Sequence, residues 1–379
     1  MSLQEERTKI FKDVYRGKVP KRVPIKIEFE PGYAIEYAGH DLRKGQLDLA
    51  LMQDSFDKLA GGVNSDTLPV KYGMDASVLQ IMGAKNYVMS DDGVLQHPEI
   101  NTMDISEYDD YISDPLKFIH EKVMTRFHTN LDTKSEKRAI TLAKAFSAFN
   151  ERFYEMTIHS EKVIAKHKLA ELPDGILTET PFDFLGNALR GFMGIAMDTQ
   201  DIPDKIKQAC IKTLPLLARI GVTENPTIDA RCDIPLHYPT YLSTNDFEKL
   251  YFPTFKKLIE YLVDSGMGVN LFLENDWIRY IDYLQDLPDN IFLEIENGDP
   301  KVFKEKIGSK HIIAGFFPIE LLRSGTKKEC TEKAGELIDI LAPGGKYIFS
   351  WNKTPMGLGD AMPENISAVT KFVRENGVY

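Results

Sequence analysis

With 379 residues, 43% hydrophobic and 27% charged side chains, the chain suits one elaborated α/β domain or two ordinary ones, and its composition excludes a largely disordered protein. A formal charge of −11 leaves no basic field for a nucleic-acid backbone or an anionic membrane surface. No stretch approaches the roughly 18 apolar residues needed to span a bilayer, and the first residues lack the apolar run of a secretory signal, so the expected compartment is the cytoplasm.

Residues 23–30 carry apolar side chains at alternate positions, Val23, Ile25, Ile27 and Phe29, which predicts a first strand with Lys26, Glu28 and Glu30 on its other face. Residues 45–170 read as mostly helical, with long charged patterns at 107–126 and 134–168 and a strand-and-turn stretch near 85–98. This region is expected to elaborate the first half of the fold. Cys210, Cys232 and Cys330 are odd in number and far apart, so they predict buried thiols rather than disulfides or a Cys-x-x-Cys knuckle.

In the second half, short aliphatic runs at 232–236, 269–274, 291–295, 311–316 and 346–350 alternate with helical patterns, as in βαβ units around a parallel sheet. One helix is expected at 246–264, with Phe247, Leu250, Tyr251, Phe255, Leu258 and Leu262 on one face, Thr244 or Asn245 as N-cap, and Pro253 bending it. A second, at 326–341, has Thr326 as cap, Glu329 as its capping-box partner and Gly344-Gly345 past its end. A third, at 363–375, closes the chain. No repeat or linker appears, so residues 1–379 are expected to form a single domain.

Several segments, in this order, carry a resemblance. They are Glu6-Arg7 ahead of Val23-Pro24, Pro181-Phe182-Asp183 with Leu189-Arg190-Gly191, Phe252-Pro253 through Ile259, residues 271–277, Leu321 to Thr326, and Pro363 to Ile366. The chain resembles the uroporphyrinogen decarboxylase and cobamide methyltransferase superfamily across nearly its whole length. That resemblance implies a (β/α)8 TIM barrel whose mouth takes a tetrapyrrole or a methyl group borne by a cobamide, free or on a corrinoid protein. It also makes a homodimer plausible. Two departures matter. The arginine-rich segment with which the family's decarboxylases hold substrate carboxylates is replaced by Glu28-Phe29-Glu30-Pro31-Gly32-Tyr33. The His-x-Cys zinc ligands of the thiol-methylating members are replaced by Phe272-Leu273-Glu274 and, near the eighth strand, Ser350 to Lys353.

In such a barrel the functional side chains stand at the carboxyl ends of the strands. The polar residues expected there are Glu28 and Glu30; His237 and Tyr238; Glu274 and Asp276; Glu296 and Asn297; and Asn352 and Lys353. His237, Glu274 and Glu296 are the expected catalytic group, and His237 with Glu274 could hold zinc in place of the missing thiolates. A solvated acidic rim is the alternative. Lys353, Asn352 and Arg190 are the expected contacts for an anionic group, although for Arg190 and Asp183 a structural ion pair or helix cap is the favoured reading. Tyr33, Tyr238, Phe316, Phe317 and Trp351 could wall an apolar cavity. The phosphate-binding loop and the nucleophile elbow are both missing. Methyl transfer involving a cobamide is the leading expectation. A tetrapyrrole decarboxylase and a non-catalytic barrel that binds a tetrapyrrole or a partner protein are the alternatives.

Overall fold

The computed structural model describes all 379 residues. A short hairpin, β1 (Val88–Met89) and β2 (Leu95–Gln96), lies apart from the main sheet. That sheet is parallel, in the order β3 (Ile176–Leu177), β4 (Arg231–Leu236), β5 (Gly268–Asp276), β6 (Phe292–Asn297) and β7 (Ile312–Gly315). Isolated parallel bridges carry the order further. Ile313 pairs with Tyr347, Phe349 with Ile25, and Phe29 with Val70, so three more extended segments continue from β7.

The expected strand at 23–30 is therefore present as extended chain but not as a regular ladder. Pro24 lacks an N–H, so its carbonyl accepts from Phe349 while the next donor is that of Lys26, which bonds the Phe349 carbonyl. Residues 66–70, which the helical reading of 45–170 had absorbed, supply another extended segment. Pro69 again gives only its carbonyl, to the N–H of Phe29. The helical pattern expected at 107–126 is interrupted at Asp114 into Tyr108–Ser113 and a run that starts at Pro115 and continues through a π-helical turn at Ile119–Val123 to Phe127. The long helix Ser135–His167 is continuous.

The second-half helices match their patterns, with one correction. Ser243, rather than Thr244 or Asn245, caps the helical run, accepting the N–H of Asp246 at 3.1 Å. Phe247–Tyr251 forms a π-helical turn before the regular helix Phe252–Asp264. Pro253 explains the widening, because its ring crowds the carbonyl four residues earlier and it offers no N–H to that turn. Thr326 and Glu329 form the expected capping box on Lys327–Leu341, and Pro363–Asn376 closes the chain. The three cysteines are buried and free. No helix is long and apolar enough to cross a membrane.

Helices cover the convex face of the sheet and pack against Val23, Ile25, Ile27, Cys232, Ile234, Leu271, Leu273, Leu293 and Ile295, all buried. The amino-terminal helix Leu3–Tyr15 closes the lower end of the concave face. Its Ile10, Phe11, Val14 and Tyr15 pack on Phe292, Ile312, Ala314 and Ile348, and the Arg231 guanidinium stacks 4.4 Å from the Tyr15 ring centroid.

One charged knot ties the two chain ends to the sheet. The fully buried Asp66 is within salt-bridge range of Arg22 (2.6 Å), Arg7 (3.0 Å) and Arg374 (3.1 Å), and it accepts the N–H of Ile25 at 2.9 Å. Removing its charge strands three guanidinium groups. The Asp66→Asn variant should lose about 3 to 5 kcal/mol of unfolding free energy in urea. An unchanged denaturation midpoint would mean that the knot contributes nothing.

Candidate functional site

The site begins where the chain leaves β4. The fully buried Asp183, in the first turn of Pro181–Phe184, spends one carboxylate oxygen on the N–H groups of His237 (3.1 Å) and Tyr238 (3.0 Å). Its other oxygen accepts the hydroxyls of Thr180 (2.6 Å) and Tyr251 (2.5 Å). Four donors on one carboxylate fix the backbone that carries His237. On β5, Asn275 adopts a left-handed conformation (φ 62°) beside a register shift between Leu273 and Asp276. Asparagine tolerates that region better than most side chains. The bulge delivers the Asn275 N–H to Glu296 at 2.7 Å, and Glu274 bonds His237 Nδ1 at 2.5 Å.

Burial by itself would lower the His237 pKa. The bond to Glu274 and the negative charges of Asp183, Glu274 and Glu179 outweigh it, and the net direction is upward. Glu179 is pushed up by burial and by Asp183. Glu30 is pushed up by burial and by Glu28. In the hairpin region Tyr87 and His97 stack with centroids 4.3 Å apart. Burial raises the Tyr87 hydroxyl, as do the charges of Glu179 and Glu30, whereas burial and the nearby His237 lower the His97 imidazole.

Below this rim the concave face holds a second polar tier. Lys26 bonds Glu28 at 2.8 Å and lies 4.0 Å from Glu294. Lys71 meets Glu28 at 3.2 Å and Asp233 at 3.3 Å. Asn270 donates to Asp233 at 2.6 Å, and Ser350 donates to Glu294 at 2.5 Å. Burial tends to raise Glu28, but Lys26 and Lys71 hold it well below the ordinary carboxylate value. Glu294 is raised, first by burial and then by Glu28. Lys71 follows the segment 66–70 while Asp233 lies on β4, so their contact joins side chains from opposite ends of the strand order.

The sequence-predicted residues separate into three groups. His237 and Glu274 are hydrogen-bonded to each other at the rim, with Tyr238 beside them, while Glu28 belongs to the lower tier. Glu296 is 3% exposed and engaged with Lys353 (2.6 Å) and Asn297 (3.1 Å) as well as Asn275, so it belongs to a neighbouring cluster rather than to His237. Asp276 accepts the N–H of Ile278 at the turn after β5, and the buried Asn352 accepts that of Ile319.

Two calls are corrected outright. Arg190 does not reach the rim, because its guanidinium is committed to Asp198 (2.6 Å) and the Met103 carbonyl. Tyr33 is fully buried, with its hydroxyl on the Ala361 carbonyl at 2.7 Å. Of the five aromatic residues expected to wall a cavity, Tyr238 does so, with Phe182, Phe192 and Tyr241 around a space of about 240 Å³. Phe316, Phe317 and Trp351 are core.

No group of three or more His, Cys, Asp or Glu side chains is arranged to hold a metal ion. His237 and Glu274 use a ring nitrogen and a carboxylate oxygen on each other, and no third ligand of these types stands with them. Glu179, Asp183, Lys71, Asp233 and Glu294 were missed as site residues. Asp233 and Glu294 did leave a signal, as charged interruptions inside otherwise apolar strand runs. Lys71 left none, because its segment was not recognised.

No family model matches the chain, and no curated protein matches it by sequence. Among solved structures, a methyltransferase from Methanosarcina mazei superposes with a TM-score of 0.63 at 13% identity, covering 97% of this chain and 98% of that one. Dispersin B aligns over 94% of this chain and 99% of its own, with a TM-score of 0.39 at 10% identity. The first likeness establishes a shared α/β architecture of the TIM-barrel type over the full length.

The raised His237 pKa has a consequence for stability. The fold binds this proton more tightly than the unfolded chain does, so the contribution is complete below the ordinary imidazole value of 6.5 and is lost as pH rises through the raised value. On going from about pH 6 to about pH 9, wild-type Tm should fall relative to that of His237→Gln. Parallel Tm curves would show that His237 is not held in its protonated form.

Proposed function

We propose that the eight extended segments close into a (β/α)8 barrel and that the chain is an enzyme transferring a methyl group between a small substrate and a cobamide. The observation that carries this reading is the His237–Glu274 pair on adjacent strand ends, at the rim where enzymes of this architecture place their chemistry. The full-length likeness to a methyltransferase supports it.

Glu274 holds Nδ1 of His237, which leaves the second ring nitrogen for the substrate. When a bond X–CH3 breaks with its electron pair on X, the protonated imidazole supplies a proton to X; in reverse, neutral His237 takes the proton from X–H as X attacks the methyl carbon. The cobamide, a substrate rather than a resident group, supplies or receives the electron pair of its own bond to that carbon. Asp183 keeps the imidazole in place through the backbone N–H groups it accepts.

A tetrapyrrole decarboxylase would need free cations for several substrate carboxylates, and the candidates are already paired: Lys26 with Glu28, Lys353 with Glu296 and Arg190 with Asp198. Methyl transfer is the better fit to this electrostatics. Cob(I)alamin offered with a panel of N-, O- and S-methyl donors should yield methylcobalamin, followed by absorbance. His237→Gln should slow the reaction by about 100-fold or more. Absence of turnover with every donor, or full activity in the variant, would contradict the proposal.

A further inference from the structure

The helix Ser135–His167 carries a row of residues at alternating steps of three and four: Ala139, Leu142, Phe146, Phe149, Phe153 and Met156. That spacing is the 3.5-residue repeat with which one helix packs along another. At its far end the row is covered by the chain itself, since Met156 and, one repeat on, Val163 are buried. Over the first half it is bare. Phe146 is 70% exposed, Phe153 45% and Phe149 37%, and Ile140 and Tyr154 beside them are 56% and 66% exposed. Phe149 and Phe153 are already stacked on each other, with centroids 5.5 Å apart.

The stripe cannot turn inward, because the neighbouring face of the helix is tied down. Ala145 is buried there. Arg138 donates to the carbonyls of Leu131 (2.9 Å) and Thr133 (3.3 Å), while Arg152 pairs with Asp75 and reaches the Leu47 carbonyl (3.3 Å). The exposed charges alongside the stripe are sorted by sign. Lys137 and Lys144 precede its centre, Glu151 and Glu155 follow it, and none of the four has a salt-bridge partner within the chain. Glu151 and Glu155, one turn apart, repel each other. What covers this face must therefore be apolar along its middle, acidic beside the lysines and basic beside the glutamates. The same helix running in the opposite direction has that pattern.

We propose that two copies of this chain associate through an antiparallel pairing of their Ser135–His167 helices about a two-fold axis near Ser147. Residues equidistant from the axis then meet. Phe153 of one copy enters the space over Ala139 and Ala143 of the other, the two Phe146 rings flank the axis, and Lys144 and Lys137 run alongside Glu151 and Glu155 of the second copy. A parallel pair would set like charges together. Such a pairing is isologous and closes at two copies. At about 200 Å² for each large side chain, the exposed stripe amounts to about 500 Å² per copy and about 1,000 Å² for the pair, the lower bound for a specific interface. The dimer is accordingly one that forms at micromolar concentration rather than a permanent one, whatever the reaction at the rim.

Sedimentation equilibrium of the full chain between about 1 and about 100 µM should show a monomer–dimer equilibrium. Phe146→Glu, at an exposed position, should keep the wild-type Tm and weaken association at least about tenfold. Engineered cysteines report the direction of pairing, because the native thiols are buried. In a glutathione redox buffer Ser147→Cys should form a covalent dimer. Ala139→Cys should not, since an antiparallel pair holds its two copies about 24 Å apart along the helix. A chain that stays monomeric across the range would overturn the proposal, even if it bound anionic lipid vesicles through the stripe. So would unchanged association in the folded Phe146→Glu variant, or a covalent dimer formed through Ala139→Cys.

Discussion

The sheet is covered by helices on its convex face, so every charged side chain on a strand must point inward, and inside it must find a partner or reach water. That constraint organises the protein. Val23, Ile25, Ile27 and Phe29 turn outward into the core while Lys26 and Glu28 turn inward, where Lys26, Lys71, Glu28 and Asp233 neutralise one another. Glu294, with Lys26 no nearer than 4.0 Å, is shifted by burial toward its neutral form. The lower end of the same face is closed by apolar contacts from the amino-terminal helix, so the polar interior opens only toward the carboxyl ends of the strands. A charged tier between an apolar plug and an open rim is a binding site in outline before any reaction is specified.

Much of the scaffold was legible. Strands β4 to β7 and the helices after them declare themselves through aliphatic runs, caps and three-and-four spacing, since a strand buried on its outer face needs those residues and little else. The first half was harder to read, for a physical reason. Pro24 and Pro69 remove ladder donors, so the chain there is extended but bridged at single points, and the run Ser65-Asp66-Thr67 looks like a loop because its aspartate serves three distant arginines. Such partners lie 44 to 308 residues away in sequence, and no local pattern encodes them.

The site was legible as a set of strand ends but not as a set of contacts. That His237 and Glu274 would stand near one another followed from adjacent strands; that Glu296 would instead be drawn to Lys353 and Asn275 depends on a bulge the sequence does not announce. Arg190 shows the opposite error. It is a cation in a segment expected to reach the rim, yet it is held by Asp198 two helical turns away. Asp183, weighed as an ion-pair or cap residue, anchors the segment that presents His237.

His237 and Glu274 are coupled by a hydrogen bond at the rim and should act as one unit in turnover. The most direct test is a double-mutant cycle on methylcobalamin formation with His237→Gln, Glu274→Gln and the double variant. Residues acting together give a double variant no slower than the worse of the two single variants. Losses that multiply, as for independent positions, would contradict the pair as the functional centre.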